Sequence, residues 1–312
     1  MNIGIIGAGG VGGYFGARLA QAGYNVTLIA RGEHLAAIRK NGLQVRSIKG
    51  DFHVRNIAAT EHIEDVKGAD LILVCVKAWQ IIALAGEIAA IVHPETIVLP
   101  LQNGVLALEE LKESVDEKNL VGGLCRLLSE IQSPGVINHF GVEPILEFGE
   151  INRQETPRLH MLKDMFDNAG IKSVISSDIH ADLWKKFIFI CVSGLLAVTK
   201  TTYGELRETP ELREMMVNLM NEIHQLAETI GISIAPDYVR ETVAFIDTFP
   251  YDSTTSLARD VLNGRPSEIE YQNGTVVRLG QAYGVDTPVN RYVYYSVLPL
   301  EKKARSSSLI RG

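Results

Sequence analysis

The chain has 312 residues, of which 46% are hydrophobic, and its formal net charge is -7 at pH 7. This length predicts about two domains of ~150 residues each, and the acidic balance argues against nucleic-acid binding, which needs a clustered basic surface. The longest apolar run, Phe187–Val198, is shorter than the roughly 20 residues that a membrane-spanning helix requires.

The cysteines and histidines indicate a reduced environment and no metal centre. Cys75, Cys125 and Cys191 are scattered and odd in number, which predicts buried thiols in a cytoplasmic protein. None of the histidines lies in a C-x-x-C or H-E-x-x-H pattern, so we expect no metal ligands. Because the first predicted strand starts at residue 2, we expect no secretory signal peptide.

The first 30 residues predict a strand, a glycine-rich turn, a helix and a second strand. Gly7, Gly9 and Gly12 follow the apolar run Asn2–Ile6 in the spacing G-x-G-x-x-G. In this setting the first glycine permits a tight turn, the second lets backbone approach a pyrophosphate, and the third allows close helix–strand packing. We therefore predict that Gly7, Gly9, Gly10 and Gly12 bind a dinucleotide. A glycine-rich turn without a ligand is the alternative.

The end of the second strand predicts which dinucleotide is bound. Asn25–Ala30 is followed by Arg31, where NAD-binding domains carry a carboxylate for the ribose 2′-hydroxyl, and Glu33 comes only later. An arginine in that place pairs with a 2′-phosphate and favours NADP. The alternative is a solvated surface arginine.

Polar residues follow two further predicted strands of the first half. Asp70–Val76 is followed by Lys77, and Thr96–Leu99 is followed by Gln102-Asn103-Gly104. In open α/β folds ligands bind at this carboxyl edge of the sheet. The other elements predicted here include four helices: His34–Lys40, Ile81–Ile91, Val105–Lys112 and Arg158–Asn168. The rest are a hairpin, short extended runs and a last strand: Gly42–Ser47 with Phe52–Ile57, Leu120–Leu127, Val136–His139, Pro144–Phe148 and Lys172–Ser176.

From Asp178 onward the apolar period changes from 2 to 3.6, and capping residues precede each predicted helix. The predicted helices are Ile179–Val198, Glu211–Ile230, Asp237–Thr248, Thr254–Leu262, Ser267–Tyr283 and a last one that starts at Pro288. We expect the Arg305–Gly312 tail to be disordered. The predicted architecture is thus α/β: a Rossmann dinucleotide-binding domain over residues 1–177, followed by an all-α domain over residues 178–312.

Several strings along nearly the whole chain resemble ketopantoate reductases, the 2-dehydropantoate 2-reductase family of the 6-phosphogluconate-dehydrogenase superfamily. Besides the glycine loop with Arg31, they are VKAWQ (76–80), QNG (102–104), DLWKKF (182–187), GEL (204–206), STTSLARD (253–260), EIEYQNG (268–274) and GVDTPVN (284–290). The resemblance implies hydride transfer from NADPH to the ketone of a small 2-keto acid. It implies neither a nucleic acid nor a membrane as partner, and it leaves open whether the chain forms a homodimer.

The resemblance also implies roles for single residues. Lys186, which closes the W-x-K motif, matches the general acid, and Glu268 matches the carboxylate that contacts the substrate hydroxyl and that lysine. Asn103 matches an amide that holds substrate or nicotinamide, Ser256 a serine that binds the substrate carboxylate, and Lys77 a lysine near cofactor and substrate.

Each of these residues also has an ordinary structural explanation. Periodicity alone does not choose between Lys185 and Lys186, because lysines also cover apolar helix edges. Glu268 follows Pro266 in a predicted first helical turn, where the helix dipole favours acids. Ser256 fits an ordinary first turn of a helix, and Asn103-Gly104 fits an ordinary chain turn.

The chain departs from the family pattern beside the lysine. Where the family has asparagines four and eight residues after it, this chain has Ile190 and Gly194. Both positions share the helical face of Lys186, so we expect an apolar wall and an empty space in the substrate site. This change should alter substrate discrimination, because a polar substrate group would lose its partner.

The sequence leaves three functions to weigh. The first is an NADPH-dependent 2-dehydropantoate 2-reductase of pantothenate biosynthesis. The second is a related reductase of another 2-keto or 3-keto acid. The third is a non-enzymatic NADP-binding sensor, against which the retained pair of Lys186 and Glu268 speaks.

Overall fold

The computed structural model describes the backbone of residues 1–311 and the side chains of residues 1–307. The chain forms two compact units. The first comprises Met1–Gln102 and Leu106–Ile179, and the second comprises Asn103–Val105 and the chain from His180 onward. The boundary predicted after residue 177 lies two residues before the one at Ile179, and the short segment Asn103–Val105 was not predicted to belong with the helical half.

A parallel five-stranded sheet is the core of the first unit. Its order is β5-β2-β1-β6-β7, formed by β1 (Asn2–Ile6), β2 (Asn25–Ile29), β5 (Ala58–Thr60), β6 (Leu71–Val74) and β7 (Ile97–Pro100). The strands β6 and β7 are apolar and buried along their whole length, as expected for a sheet covered on both faces. Because β1 pairs in parallel with both β2 and β6, their carboxyl ends meet at one edge.

A second sheet in the same unit is mixed. It contains β3 (Leu43–Ser47), β4 (Phe52–Val54), β8 (Gly122–Ser133), β9 (Val136–Gly149) and β10 (Lys172–Ile175). The predicted hairpin is confirmed, since β3 and β4 pair antiparallel. The short runs predicted between residues 120 and 148 are instead the long antiparallel pair β8 and β9, whose register shifts at Arg126/Leu128 and Ile131/Ser133. These bulges absorb the irregular sequence without ending the strands.

Five α-helices accompany the sheets of the first unit: α1 (Gly10–Gln21), α2 (Gly32–Asn41), α3 (Ile81–Ile91), α4 (Ala107–Lys112) and α5 (Pro157–Asn168). The apolar cluster around Ile5, Phe15 and Leu28 joins α1 to the parallel sheet. The α/β class predicted for this half, with a Rossmann-like parallel sheet, is confirmed.

The described part of the second unit is helical. It contains α6 (Ile179–Ile190), α7 (Val192–Thr199), α8 (Tyr203–Glu208), α9 (Pro210–Thr229), α10 (Tyr238–Asp247), α11 (Ser256–Leu262), α12 (Asn273–Tyr283) and α13 (Pro288–Arg311). Its core is a separate apolar cluster that includes Phe187, Leu195 and Met220. The prediction of an all-α second half is confirmed.

Three helical expectations differ from the structure. The single helix predicted over Ile179–Val198 is interrupted at Cys191, where α6 ends and α7 begins. The helix predicted from Ser267 starts only at Asn273, after a 3-10 turn at Ile269–Tyr271. The tail expected to be disordered continues α13 to Arg311, and Gly312 lies outside the described residues.

Candidate functional site

The turn between β1 and α1 has the geometry that the glycine spacing predicts. Gly7 adopts φ +100°, a conformation that favours glycine, and a Cβ there would lie 2.8 Å from the backbone nitrogen of Val76. A Cβ at Gly12 would overlap the carbonyl oxygen of Gly7 and lie 2.9 Å from Ile5 Cγ2. Side chains at either position would therefore push α1 away from the sheet.

Gly9 differs from its neighbours because nothing surrounds its missing side chain. A Cβ at this position would meet no atom within 4 Å. Gly9 is the N-cap of α1, which has no capping side chain and no acidic residue in its first turn. The first N–H groups of the helix thus have no side-chain cap, an arrangement that suits a dinucleotide phosphate. The residues of this turn fit the cofactor that the sequence predicts.

Gly10 has a structural explanation of its own. A Cβ at Gly10 would overlap the carbonyl oxygen of Ser129 in β8 and lie 3.0 Å from the backbone nitrogen of Glu130. Close packing of α1 on β8 is therefore enough to require glycine at this position, whatever the turn binds.

Arg31 and Lys77 lie at the carboxyl edge of the parallel sheet, as predicted. Arg31 is exposed and is the N-cap residue of α2, and its guanidinium makes no hydrogen bond or ion pair with another described residue. Lys77 precedes the 3-10 turn Ala78–Gln80, and its backbone N–H donates to Gln80 Oε1 at 3.1 Å. The Lys77 ammonium lies 5.8 Å from the centre of the Trp79 ring.

Gln102 is a structural residue that received no role from the sequence. Its amide nitrogen donates to the carbonyl oxygens of Val74 and Val76 at 2.9 and 3.0 Å. These bonds tie the ends of β6 and β7 together just before Asn103. Its position directly after a predicted strand was the available signal.

Asn103 and Glu268, predicted from separate motifs, are in contact in the second unit. Asn103 Nδ2 donates to Glu268 Oε2 at 3.1 Å across 165 positions of sequence. Gly104 allows the approach, because it adopts φ +102° and a Cβ there would lie 2.9 Å from the carbonyl oxygen of Tyr271. Glu268 is buried and precedes a 3-10 turn rather than standing in the first turn of an α-helix, so the helix-dipole explanation does not apply.

The two adjacent lysines of α6 have different surroundings. Lys185 Nζ pairs with Asp182 Oδ1 at 2.9 Å on the same helix. Lys186 is partly buried at the next position, and partly buried Ile190 follows it by one helical turn. Ile190 borders the apolar cluster of the second unit, so the expected apolar surface one turn after Lys186 is present.

Ser256 is the first residue of α11 and is exposed. The capping role belongs to Thr255, whose hydroxyl accepts a hydrogen bond from the backbone N–H of Ala258 at 3.2 Å. The Ser256 hydroxyl is therefore not needed to cap its own helix.

Gly194 does not face the empty space that the sequence predicted, and this expectation is wrong. The position is buried in α7, where a Cβ would overlap Asn273 Oδ1 and lie 2.6 Å from Val293 Cγ1. The Asn273 amide nitrogen donates to the carbonyl oxygen of Cys191 and to Asn290 Oδ1. Gly194 is required here because α12 and α13 pack close to α7, a contact that no local pattern records.

No helix within the described residues is long and apolar enough to cross a bilayer, and those residues contain no cluster of three or more side chains suited to hold a metal ion.

Two family models match the chain. "Ketopantoate reductase PanE/ApbA" matches residues 3–153, and "Ketopantoate reductase PanE/ApbA C terminal" matches residues 178–301. A curated 2-dehydropantoate 2-reductase of Nostoc sp. is 29% identical over 311 residues, which is 98% of this chain and 97% of that protein.

Solved structures agree with these matches. A PanE/ApbA family ketopantoate reductase from Ralstonia eutropha is 31% identical, with a TM-score of 0.89 over 98% of this chain and 100% of that one. D-mandelate dehydrogenase, solved with NADH and anilino(oxo)acetate, is 26% identical, with a TM-score of 0.89 over 98% of this chain and 99% of that one. With both family models matched in order, the chain belongs to the ketopantoate reductase family of oxidoreductases.

Proposed function

We propose that this protein is an NADPH-dependent 2-dehydropantoate 2-reductase, which reduces the ketone of 2-dehydropantoate to the hydroxyl of pantoate and so serves pantothenate biosynthesis. The contact between Asn103 and Glu268 is the observation that carries the proposal. It joins two residues that the family resemblance assigns to the substrate, although they come from distant parts of the chain.

In this proposal Gly7, Gly9, Gly10 and Gly12 form the turn that holds the cofactor pyrophosphate, with the α1 N–H groups as donors. Arg31 holds the 2′-phosphate, and Lys77 lies near the nicotinamide end. NADPH supplies the hydride when it is bound. The exposed Arg31 guanidinium, without a protein partner among the described residues, supports NADPH over NADH. The NADH of the D-mandelate dehydrogenase structure is the reason to test both cofactors.

Lys186 acts as general acid. Its ammonium would polarise the ketone and give a proton to the carbonyl oxygen, which becomes the hydroxyl of the product. Glu268 contacts the substrate hydroxyl and the lysine, Asn103 orients the substrate through its amide, and Ser256 binds the carboxylate. The ion pair of Lys185 with Asp182 supports Lys186 as the proton donor, because it gives the other lysine a structural role.

A second candidate is a reductase of another keto acid, whose tail is less polar than that of 2-dehydropantoate. Ile190 supports it, since an apolar side chain stands one helical turn after Lys186 where the family has an asparagine. D-mandelate dehydrogenase shares the fold over nearly the whole chain and was solved with an aryl-bearing compound. A non-enzymatic NADP sensor is less well supported, because a sensor would not need the site formed by Lys186, Glu268 and Asn103.

The deciding experiment measures NADPH and NADH oxidation by the purified protein with a panel of keto acids. The panel contains 2-dehydropantoate, pyruvate, phenylglyoxylate and one 3-keto acid. Turnover of 2-dehydropantoate with the highest kcat/KM supports the first candidate, and preference for another member supports the second. Binding of NADPH without turnover of any keto acid overturns both and leaves the sensor. A homodimer and a cytoplasmic location stay predictions, the latter supported by three free cysteines.

A further inference from the structure

Three phenylalanines of the second unit form a cluster in which every ring touches the other two. The ring centres of Phe245 and Phe249 are 4.9 Å apart. Phe189 lies 5.9 Å from Phe245 and 5.8 Å from Phe249, with the rings edge to face. Tyr203, only 1% exposed, packs against Phe249 at 5.0 Å and joins the cluster to the core.

The cluster is not closed on its outer side. Phe245 is 51% exposed, and Phe189 and Phe249 are only partly buried. A single exposed aromatic ring is ordinary on a protein surface. Three rings in mutual contact, one of them half exposed, instead form a continuous apolar surface that is able to cover an apolar ligand group.

One edge of the cluster adjoins the proposed proton donor. Phe189 and Ile190 follow Lys186 by three and four positions within α6. Side chains at these spacings are surface neighbours, with Cβ atoms about 5–6 Å apart, and the two positions lie on either side of the Lys186 direction. Phe189 and Ile190 therefore flank Lys186 with an aromatic and a branched apolar side chain.

The other edge adjoins the loop that precedes Ser256, the residue proposed to bind the carboxylate. Phe249 begins the loop that ends at α11, and this loop is fixed to α8. Gly204 N donates to the Tyr251 carbonyl at 2.9 Å, Tyr203 N donates to the Ser253 carbonyl at 3.0 Å, and the Tyr251 ring packs directly on Gly204. The cluster thus extends from the helix of Lys186 to the start of the loop that precedes Ser256 and α11.

We propose that Phe189, Phe245 and Phe249 bind the tail of the substrate and admit 2-keto acids with an aryl tail besides 2-dehydropantoate. The inference rests on the proposed reductase function and names the substrate class of that same site. In a 2-keto acid the carboxylate and the tail are attached to opposite sides of the ketone carbon. With the ketone at Lys186, a tail that extends past Phe189 meets the surface formed by the three rings. Aromatic rings favour edge-to-face and offset contacts with an aryl group.

The test compares Phe245→Ala with the control Tyr292→Ala. Tyr292 is 54% exposed on another helix of the same unit, so both changes remove an exposed aromatic ring. For Phe245→Ala we expect kcat/KM for phenylglyoxylate to fall about 10-fold or more, through KM, while kcat/KM for pyruvate changes less than about threefold. Tyr292→Ala should leave both values unchanged.

Calorimetry with anilino(oxo)acetate, an aryl compound that lacks a reducible ketone, gives a readout that is independent of turnover. With NADPH present, Phe245→Ala should weaken its binding about 10-fold, and Tyr292→Ala should not. Because Phe245 is half exposed, its replacement leaves the core intact, and Phe189→Leu provides a second variant that keeps apolar volume.

The outcomes separate this inference from the function on which it rests. Turnover of 2-dehydropantoate, with neither turnover of phenylglyoxylate nor binding of anilino(oxo)acetate, overturns the aryl class and leaves the reductase. Equal behaviour of Phe245→Ala, Phe189→Leu and the wild type overturns the role of the three rings. Failure of every keto acid to oxidise NADPH overturns the reductase and the inference together.

Discussion

The predicted cofactor residues of the first unit and the predicted substrate residues of the second are built in different ways. The glycine turn consists of backbone, and it packs against the sheet only because Gly7 and Gly12 have no Cβ atom. The second unit brings together side chains from distant parts of the chain, such as Asn103 and Glu268. Substitutions that add atoms should therefore impair the first region, whereas substitutions that remove single chemical groups should impair the second.

The largest effect is expected at Lys186. Lys186→Ala removes the proposed proton donor, so kcat should fall by about 100-fold or more, the range of general acid catalysis. NADPH affinity, measured by fluorescence titration, should change little because the glycine turn, Arg31 and Lys77 belong to the other unit. Lys185→Ala is the matched control, since that lysine pairs with Asp182. Equal losses of kcat in both variants would show that the proton donor is misassigned.

The glycine turn offers a pair of substitutions that separate binding from folding. Gly9→Ala adds a methyl group where no atom lies within 4 Å, so the free energy of unfolding should stay nearly constant. NADPH affinity should fall roughly 10- to 100-fold, because the methyl group displaces a charge-assisted hydrogen bond to phosphate. Titration and urea unfolding measure the two quantities.

Gly12→Ala should behave in the opposite way. Its Cβ would overlap the Gly7 carbonyl oxygen, and overpacking of this kind costs about 1–3 kcal/mol or more of unfolding free energy. Gly86→Ala serves as the control, because Gly86 is exposed in α3 with no atom within 4 Å of a Cβ. NADPH binding by Gly9→Ala at wild-type strength would exclude this turn as the phosphate site.

Arg31→Ala tests cofactor choice within the same region. Loss of one charge-assisted hydrogen bond to the 2′-phosphate, worth about 1.5–3 kcal/mol, should weaken NADPH roughly 10- to 150-fold. NADH affinity should remain the same, since NADH has a hydroxyl at that position. Parallel titrations with the two cofactors measure the ratio. Wild-type protein that binds NADH as tightly as NADPH would rule out the proposed role of Arg31.

In the second unit, substitutions at Ile190 and Gly194 should have different effects, although the sequence assigned both positions to the substrate site. Ile190→Asn restores the amide of the family pattern and should shift the ratio of kcat/KM values toward 2-dehydropantoate over phenylglyoxylate by about 10-fold. Gly194→Asn should instead cost roughly 1–3 kcal/mol of unfolding free energy, because its Cβ would overlap Asn273 Oδ1. A Gly194→Asn variant as stable as the wild type would contradict the close packing of α7 and α12.

The smallest expected effect is a pH dependence within the first unit. His139 is 1% exposed, its Nδ1 lies 2.7 Å from Ser47 Oγ and its Nε2 lies 2.8 Å from the Val142 carbonyl oxygen. Burial lowers the pKa of His139 from its ordinary 6.5; the hydrogen bond with Val142 opposes this shift, and Arg18 and Lys49 add smaller lowering contributions. Below pH 6.5 the unfolded chain therefore binds a proton that the folded chain does not.

The free energy of unfolding should fall as the pH drops below 6.5, by at most about 1.4 kcal/mol per pH unit, until the lowered pKa of the folded state is reached. Urea unfolding at a series of pH values between 7 and 5 measures the slope. His139→Gln should reduce the slope, and His62→Gln, which changes a highly exposed histidine, should not. An unchanged slope in His139→Gln would show that other groups cause the acid sensitivity.

The features that could be predicted from the sequence follow the same division between the two units. The glycine turn and the strand ends that carry Arg31 and Lys77 were predicted because the information is local: a spacing, an apolar run and a turn. The family strings identified Asn103 and Glu268 one at a time, but their mutual contact depends on a fold that brings residues 165 positions apart together. Local patterns do not encode such a distance.

The errors come from tertiary contacts that override local preference. The apolar run after Lys186 predicts one helix, yet α6 ends where the Cys191 carbonyl oxygen accepts hydrogen bonds from Asn273 Nδ2 and Gly194 N. The open space expected at Gly194 is filled by Asn273 and Val293, which are distant in sequence. Pro266 predicts a helix start, but the chain forms a 3-10 turn and begins α12 only at Asn273.

The segment Asn103–Val105 has a consequence for engineering by domain exchange. Although it is encoded inside the first half of the chain, it clusters with the helical unit, and its asparagine bonds to Glu268. A chimaera joined at residue 178 would take Asn103 from one parent and Glu268 from the other. Swaps between relatives of different specificity should therefore transfer residues 103–105 together with the helical half, so that the recipient inherits the pair intact.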